Sequence, residues 1–427
     1  MGKEKKKQKV EESPIMAQVK HSLQSFEGKT IDNKNITMYP KTEKLMSVTF
    51  PSKEEYTVSL GPKPDVTGEP QTLFISFKYD AIFGEKEELD FVYFWRKQLL
   101  MARIMEPFSN SKCIDQLNAV YELSGLVIKL RFEVPESFKY YRLAPGRGNI
   151  HIMEEFHNKP TPEYNSMVLE DLLTQELDIE LDEDQQEAVK MLKAWYFKMG
   201  FQEYVRFPTV DAFIALFVNY LKTNSLENAD ALQLIKGFLA FLNMKNRAEP
   251  IFINEFKDYK QFPREYKDCF SLQMFTSNFE CVFVDKSGML NLFHSVSLSS
   301  MVLLSHFAKR LLDNLTAKIP VSFESLFIER SHSLCSYDLV IEFELKSNDS
   351  LVSSKEKKLF DVIQKAIGDR VKHFGMTRSD QTVKLLLILN PENCFRLAKM
   401  GPTPDLTSEV EFFRRLWGAK AELRKFD

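Results

Sequence analysis

Carboxylates at positions i and i+2 of a strand share a face, and such a pair can offer a divalent cation two hard oxygen ligands. Two stretches with that pattern need weighing, Glu342-Phe343-Glu344 in an apolar run and Asp178, Glu180 and Asp182 in DIELDED. No glycine turn precedes the first, which reads as a solvent-facing strand edge. The second reads as an acidic loop beside a helix starting near Gln185. Gly28-Lys29-Thr30 has the ending of a phosphate-binding loop, but Leu23 stands where the first glycine belongs, so it reads as a turn. There is no Gly-x-Ser-x-Gly elbow and no His-Glu-x-x-His spacing, and His294 and His306 lie on apolar faces. Cys113, Cys269, Cys281, Cys335 and Cys394 show no Cys-x-x-Cys spacing and read as free thiols in a reducing compartment. These residues indicate neither a metal site, nor a cofactor, nor an enzyme.

Basic side chains point instead to binding. Lys129 and Arg131 alternate onto one face of a strand, and Arg142 and Arg147 flank the turn near 145. Arg414, Arg415, Lys420, Arg424 and Lys425 cluster near the end of the sequence, diluted by Glu422. Such groups bind phosphates with strong salt dependence and little sequence preference. The net charge of −3 and pI of about 6.3 exclude a globally basic nucleic-acid coat, so any RNA contact is a local patch.

The elements that must position these groups follow from periodicity. A chain of 427 residues exceeds one ordinary core. Residues 1–35 read as a lysine-rich tail and a short helix; five lysines by position 9 are compatible with a nuclear address. Residues 36–158 read as an α/β unit. It has a strand at Thr72–Tyr79, a long helix from about Glu87 to Pro107 burying Phe91, Phe94, Leu99 and Ile104, a strand at Leu126–Phe132 and another at Tyr140–Leu143. Residues 159–318 are mainly helical, with stripes at Val189, Leu192, Tyr196 and Met199, at Val210, Phe213, Ile214, Phe217 and Leu221, and at Leu232, Ile235, Leu239 and Leu242. A strand and turn at Cys281–Gly288 interrupt them, and a fourth helix covers Met301–Leu315. Residues 319–427 read as strand (Leu339–Leu345), helix (Lys355–Val371), strand (Val383–Leu389) and helix (Leu406–Trp417). The last helix would turn Leu406, Val410, Phe413 and Trp417 inward. The fold class is α+β. No stretch approaches 18 uninterrupted apolar residues, so no membrane span is expected.

Several stretches are specific in wording as well as pattern. LNPENCFRL and FFRRLWGAKAELRKF lie near the end, VFVDKSGMLNLF at 282–293, and PTPEYNSMVLEDLL at 160–173. Further back stand LDFVYFWRKQLLMARI at 89–104 and FPSKEEYTVSLGPKP at 50–64. In this order they resemble the nucleolar RNA-associated protein (Nrap) family, components of the small-subunit processome. The family is built as two tandem nucleotidyltransferase-like halves, and this chain resembles the first. The resemblance implies a nucleotidyltransferase-like domain, a helical domain like those of poly(A) polymerase and oligoadenylate synthetase, and a small α/β domain.

The resemblance also says where catalysis would have to sit. Nucleotidyl transfer on that fold needs a Gly-Ser or Gly-Gly turn for the triphosphate and carboxylates on the strand before the long helix for magnesium. Thr72 to Lys78 contains no Asp or Glu, and none of the 15 glycines is followed by Ser or Gly. The implied protein is a non-catalytic scaffold of the nucleus and nucleolus. Its partners would be small-subunit pre-rRNA and other processome proteins, with no membrane and no small-molecule substrate. Two alternatives stay open: an active nucleotidyltransferase with relocated metal carboxylates, and a scaffold that touches only protein.

Overall fold

A computed structural model of the chain describes residues 14–31, 47–61, 63–83, 90–115, 120–133, 181–224, 229–244, 249–252, 272–284, 291–317, 321–329, 337–344, 353–379, 382–395, 407–408 and 410–411. They fall into two compact units: Met1–Gln202 with Phe207–Arg330, and Glu203–Arg206 with Ser331–Asp427.

The first unit begins with α1 (Pro14–Phe26), which ends at Gly28 with φ of 67°, a conformation glycine adopts without strain. That is the turn expected at Gly28-Lys29-Thr30. Short β1 (Thr30–Ile31) and β2 (Val48–Thr49) pair antiparallel. Next come β3 (Tyr56–Leu60), β4 (Gln71–Lys78), α2 (Tyr79–Phe83), α3 (Asp90–Met105), β5 (Lys112–Asp115), β6 (Val120–Leu123) and β7 (Leu126–Glu133). The five long strands form one sheet in the order β3-β4-β7-β6-β5. β4 and β7 are parallel and the other pairs antiparallel. A parallel pair requires a crossover, and the segment containing α3 supplies it. β6 and β7 are joined by Ser124 and Gly125 with φ of 50° and 82°, the two positive values that a tight hairpin with right-handed twist demands.

Strand alternation decides what faces the helices. Leu73, Ile75 and Phe77 on β4, and Ile128, Leu130 and Phe132 on β7, are essentially inaccessible. Phe77 continues a line of rings, Phe26–Phe50–Phe77–Phe132, with centroids 5.9, 5.5 and 6.4 Å apart. α1 and α3 lie together, the Ser22 hydroxyl donating to the Ile104 carbonyl at 3.1 Å. The other face of β4 and β7 therefore carries Thr72, Phe74, Ser76 and Lys78 beside Lys129, Arg131 and Glu133.

The helical part of this unit contains α4 (Glu183–Lys198), α5 (Val210–Asn224), α6 (Ala231–Met244), α7 (Leu272–Asn278), α8 (Leu298–Thr316) and α9 (Phe323–Phe327). α4 opens with a capping box: Asp182 accepts from the Gln185 amide at 2.8 Å, and Gln185 reaches back to the Asp182 amide. Asp182 of the acidic run is thus a helix cap, while Asp178 and Glu180 lie outside the described residues. α5 is buried on every side from Ala212 to Leu221, so it is the central helix. In α6, Ile235, Leu239 and Leu242 are buried as expected, but Leu232 at the open first turn is exposed. A Cβ on Gly237 would run into the Tyr220 hydroxyl, which explains a glycine inside a helix. β8 (Ile251–Phe252) and β9 (Phe283–Val284) pair in parallel. Asn291 locks that pair: buried, it accepts from the Phe283 and Phe293 amides at 2.8 and 3.0 Å and donates to the Cys281 carbonyl at 2.9 Å.

The second unit contains β10 (Leu339–Glu344), α10 (Ser353–Ile367), β11 (Val371–Ser379) and β12 (Thr382–Leu389), in an antiparallel sheet ordered β10-β12-β11. Phe360 of α10 packs on Phe374, Met376, Val383, Leu385 and Leu387. The expected strand–helix–strand order omitted β11: VKHFGMTRS mixes charges with a central glycine, and only Phe374 and Met376 reveal its buried face. Four residues from between α4 and α5 complete this unit. Tyr204 bridges Thr377 in antiparallel sense, and the Val205 amide donates to the Met376 carbonyl at 2.8 Å. The Tyr204 and Tyr337 hydroxyls meet at 2.5 Å. Arg206, at φ of 59°, pairs with Asp361 at 2.5 Å and lies 5.4 Å from the Phe360 ring centre. In the first unit Phe201 stacks on Phe207 with centroids 4.6 Å apart, closing the base of this excursion.

Candidate nucleic-acid interface

The face of β4 and β7 away from the helices gathers the polar groups of the five-stranded sheet. Parallel register sets Lys129 beside Phe74 and Arg131 beside Ser76. Ser76 has no solvent exposure, so its hydroxyl needs a partner, and Arg131 Nε donates to it at 2.6 Å. The guanidinium carbon stands 4.6 Å from the Phe74 ring centre, a cation–π contact. The arginine is thus held from below by an aromatic ring and from one side by a hydroxyl. Lys129 is half-buried next to it on the same strand. At the far end Lys78 lies opposite Glu133 in the register and helps to hold the Glu55 carboxyl below its usual range, a shift caused first by hydrogen bonds from Ser52.

The loop entering β4 is closed by a carboxylate. Gly61 sits so near the Thr72 carbonyl and the Phe74 ring that a Cβ would stand 3.2 Å from each. Its amide donates to the Thr72 carbonyl at 2.8 Å. Glu69 accepts from the Asp65 amide at 3.3 Å and pairs with Lys193 of α4 at 2.8 Å, both side chains mostly shielded from solvent. The loop therefore spends its one well-placed acid on its own closure, and the sequence offered no signal for it.

Elsewhere the candidate chemistry is placed apart. Glu342 and Glu344 lie on β10, an outer strand of the second unit's sheet, where Glu342 pairs with Lys384 across the ladder at 3.2 Å. Among the described residues, no three of His, Cys, Asp or Glu are grouped to hold a metal ion. His306 is held below its usual pKa by burial first and then by Arg310 and Lys309 on its own helix. The Lys198 ammonium donates to the Ser325 carbonyl near the end of α9, and burial lowers its pKa while Glu329 works the other way. Of the basic residues expected to bind RNA, Lys129 and Arg131 are brought together. Arg142, Arg147, Arg414, Arg415, Lys420, Arg424 and Lys425 lie outside the described residues, as do Phe413 and Trp417. No helix among the described residues is long and apolar enough to cross a membrane.

Two family models match in succession: "Nrap protein PAP/OAS-like domain" over residues 184–330 and "Nrap protein domain 3" over residues 333–427. Human Nucleolar protein 6 is 21% identical over 420 residues, covering 81% of this chain and 35% of the relative. U3 small nucleolar RNA-associated protein 22 of Schizosaccharomyces pombe is 24% identical over 337 residues, covering 69% of this chain and 30% of the relative. The chain spans about a third of the length of these curated relatives. Among solved structures, Cid1 in complex with the UTP analogue UMPNPP covers 65% of this chain and 86% of its own at 13% identity and a TM-score of 0.36. E. coli MS115-1 CdnC with ATP covers 61% of this chain and 77% of its own at 12% identity and a TM-score of 0.35. At such values neither neighbour bears on the chemistry of this chain.

Proposed function

The chain belongs to the Nrap protein family, and from that premise we propose that it is a non-catalytic, RNA-binding scaffold of the small-subunit processome. It acts in the nucleolus on the precursor of the small-subunit rRNA, beside other processome proteins. Its relatives are named as nucleolar and as associated with U3 small nucleolar RNA, which supports that address and that class of partner. In this reading residues 36–158 are a degenerate nucleotidyltransferase-like domain, 159–318 a helical domain and 319–427 a small α/β domain, behind a basic tail at 1–35.

The observation that carries the non-catalytic part is the Ser76–Arg131 bond on a face whose strand, Gln71–Lys78, has no carboxylate. Two-metal phosphoryl chemistry requires acidic oxygens around the cations. A guanidinium placed there repels a divalent cation and attracts the phosphate that the cation would otherwise hold.

The test is direct. Purified chain given an RNA primer, nucleoside triphosphates and magnesium should extend nothing above background. Template-independent extension, abolished by Glu342→Gln with Glu344→Gln, would overturn the non-catalytic reading in favour of relocated carboxylates. The scaffold reading predicts that the tagged chain co-sediments with small-subunit preribosomes from nucleolar extract and is released by ribonuclease. Sedimentation as free protein sinks it.

A further inference from the structure

We infer that Arg131 is the anchor of a magnesium-independent phosphate subsite, which holds one phosphodiester of an RNA strand on the side of the β4–β7 pair away from the helices. The inference rests on the RNA-binding reading and says which group does the binding and how. A surface arginine normally spends side-chain entropy to meet a phosphate. Arg131 does not, because three constraints fix it beforehand. Its backbone is in the middle of a strand, its Nε is committed to the Ser76 hydroxyl at 2.6 Å, and its planar group lies 4.6 Å from the Phe74 ring centre. Committing Nε leaves the edge of the two terminal nitrogens, which carry no further hydrogen bond among the described residues. That edge is the planar fork that fits two oxygens of a phosphate.

The neighbourhood favours an anion over a cation. Lys129 is the adjacent charge on the same face, and the parallel register brings no carboxylate opposite either residue. The acids near the rim are occupied: Glu69 by Lys193 and the Asp65 amide, Glu55 by Ser52. Of the other acids whose register places them on this face, Glu133 sits at the end of the strand opposite Lys78, Glu122 of β6 lies opposite Lys112 of β5, and Asp115 lies on the outermost strand, β5. Phosphate here would be neutralised by the fixed guanidinium beside the Lys129 ammonium, so binding needs no divalent ion. The Ser76 hydroxyl is a positioning group: it touches Arg131, not the ligand.

Binding of the full chain to a fluorescently labelled, unstructured oligoribonucleotide, measured by anisotropy in EDTA over a range of salt, tests this. Arg131→Gln should weaken binding about tenfold and shrink the salt dependence by the share of one phosphate, a slope change of about 0.7. Arg131→Lys should lose nearly as much affinity as Arg131→Gln, because it keeps the charge and loses the fork. Ser76→Ala should fall between wild type and Arg131→Lys, with its salt slope unchanged. Melting curves identify any variant that has unfolded, and the remaining variants then decide.

If Arg131→Lys binds like wild type, or binding appears only with magnesium, the subsite is overturned. If wild type binds RNA and Arg131→Gln binds it equally, the subsite falls while the RNA-binding reading stands. If wild type binds no RNA at any salt, both fall together.

Discussion

The two main sheets of this molecule solve the same problem differently. The five-stranded sheet is built from one continuous stretch and buries a full helix-facing layer, with Leu73, Ile75, Phe77 and Ile128 fully inaccessible. Its other face is left to carry Phe74, Ser76, Lys129 and Arg131. The three-stranded sheet has less to bury. On β10, Leu339 and Ile341 share the face of the packed β12 residues Leu387 and Leu385, yet they are 43% and 42% exposed. It borrows residues 203–206 from elsewhere in the sequence to finish its other edge. A sheet whose core is complete can give a face to a ligand. A sheet whose core is thin spends its polar groups on itself, as Tyr204, Tyr337, Arg206 and Asp361 do.

Phe77→Ala probes the contrast most strongly. It removes the ring that joins Phe50 to Phe132 and should destabilise the first unit by about 3–5 kcal/mol. Ile341→Ala on exposed β10 should cost less than about 1 kcal/mol. Chemical denaturation of both variants breaks the comparison if the two losses are equal.

Next in size is the borrowed segment. Arg206→Ala should cost about 1–3 kcal/mol, because it strands Asp361 without its charge-assisted hydrogen bond. Arg206→Gly loses the same pair but relieves a side-chain-bearing residue at φ of 59°, worth about 1 kcal/mol. The glycine variant should therefore be the more stable of the two. The reverse order would show that the left-handed backbone at position 206 carries no strain for a side-chain-bearing residue.

Alkaline melting gives a subtler reading of both sheets. Burial pushes the Tyr204 hydroxyl up to about 12, with Glu203 adding to the shift and Tyr337 opposing it. Burial likewise pushes Tyr121 of β6 up to about 12, with help from Cys113. Each phenol is neutral when folded and ionises more readily when unfolded, where its pKa is about 10. The stability tied to neutrality is complete below about pH 10 and drains away as pH rises toward about 12. Tyr204→Phe should flatten that decline in the second unit, and Tyr121→Phe in the first. An unchanged slope from pH 10 to 12 in either variant excludes that tyrosine.

The smallest effect belongs to Glu342→Gln. Both partners of the Glu342–Lys384 pair are substantially exposed, so the substitution should change stability by less than about 0.5 kcal/mol. A larger loss would mean that the edge of the three-stranded sheet is sustained by charge.

Strong periodicity made much of this legible in the sequence. The strand at Thr72–Tyr79 is β4 within one residue, and the long helix near 87–107 is α3 within three at its start and two at its end. Lys129 and Arg131 were readable as one face from alternation alone. Ser76 and Phe74 were not readable as their partners, because parallel pairing across 55 residues leaves no local trace. The stripe of α4 came out rotated, since Ala188, Met191 and Trp195 share its burial with Leu192 and Tyr196. Residues 203–206 carry no strand pattern at all. A single bridge and an arginine at positive φ are imposed by the surroundings, and propensity has nothing to say about them.

That four-residue excursion sets a clock on synthesis. Arg206 leaves the ribosome 155 residues before Asp361 does. At typical elongation rates of about 5–20 residues per second the wait is roughly 8–30 s. During it α4 and α5 can already close, with Phe201 against Phe207, while the Val205 amide and the Arg206 guanidinium still lack the partners they will have. A nascent chain therefore spends that interval without the Val205–Met376 and Arg206–Asp361 bonds.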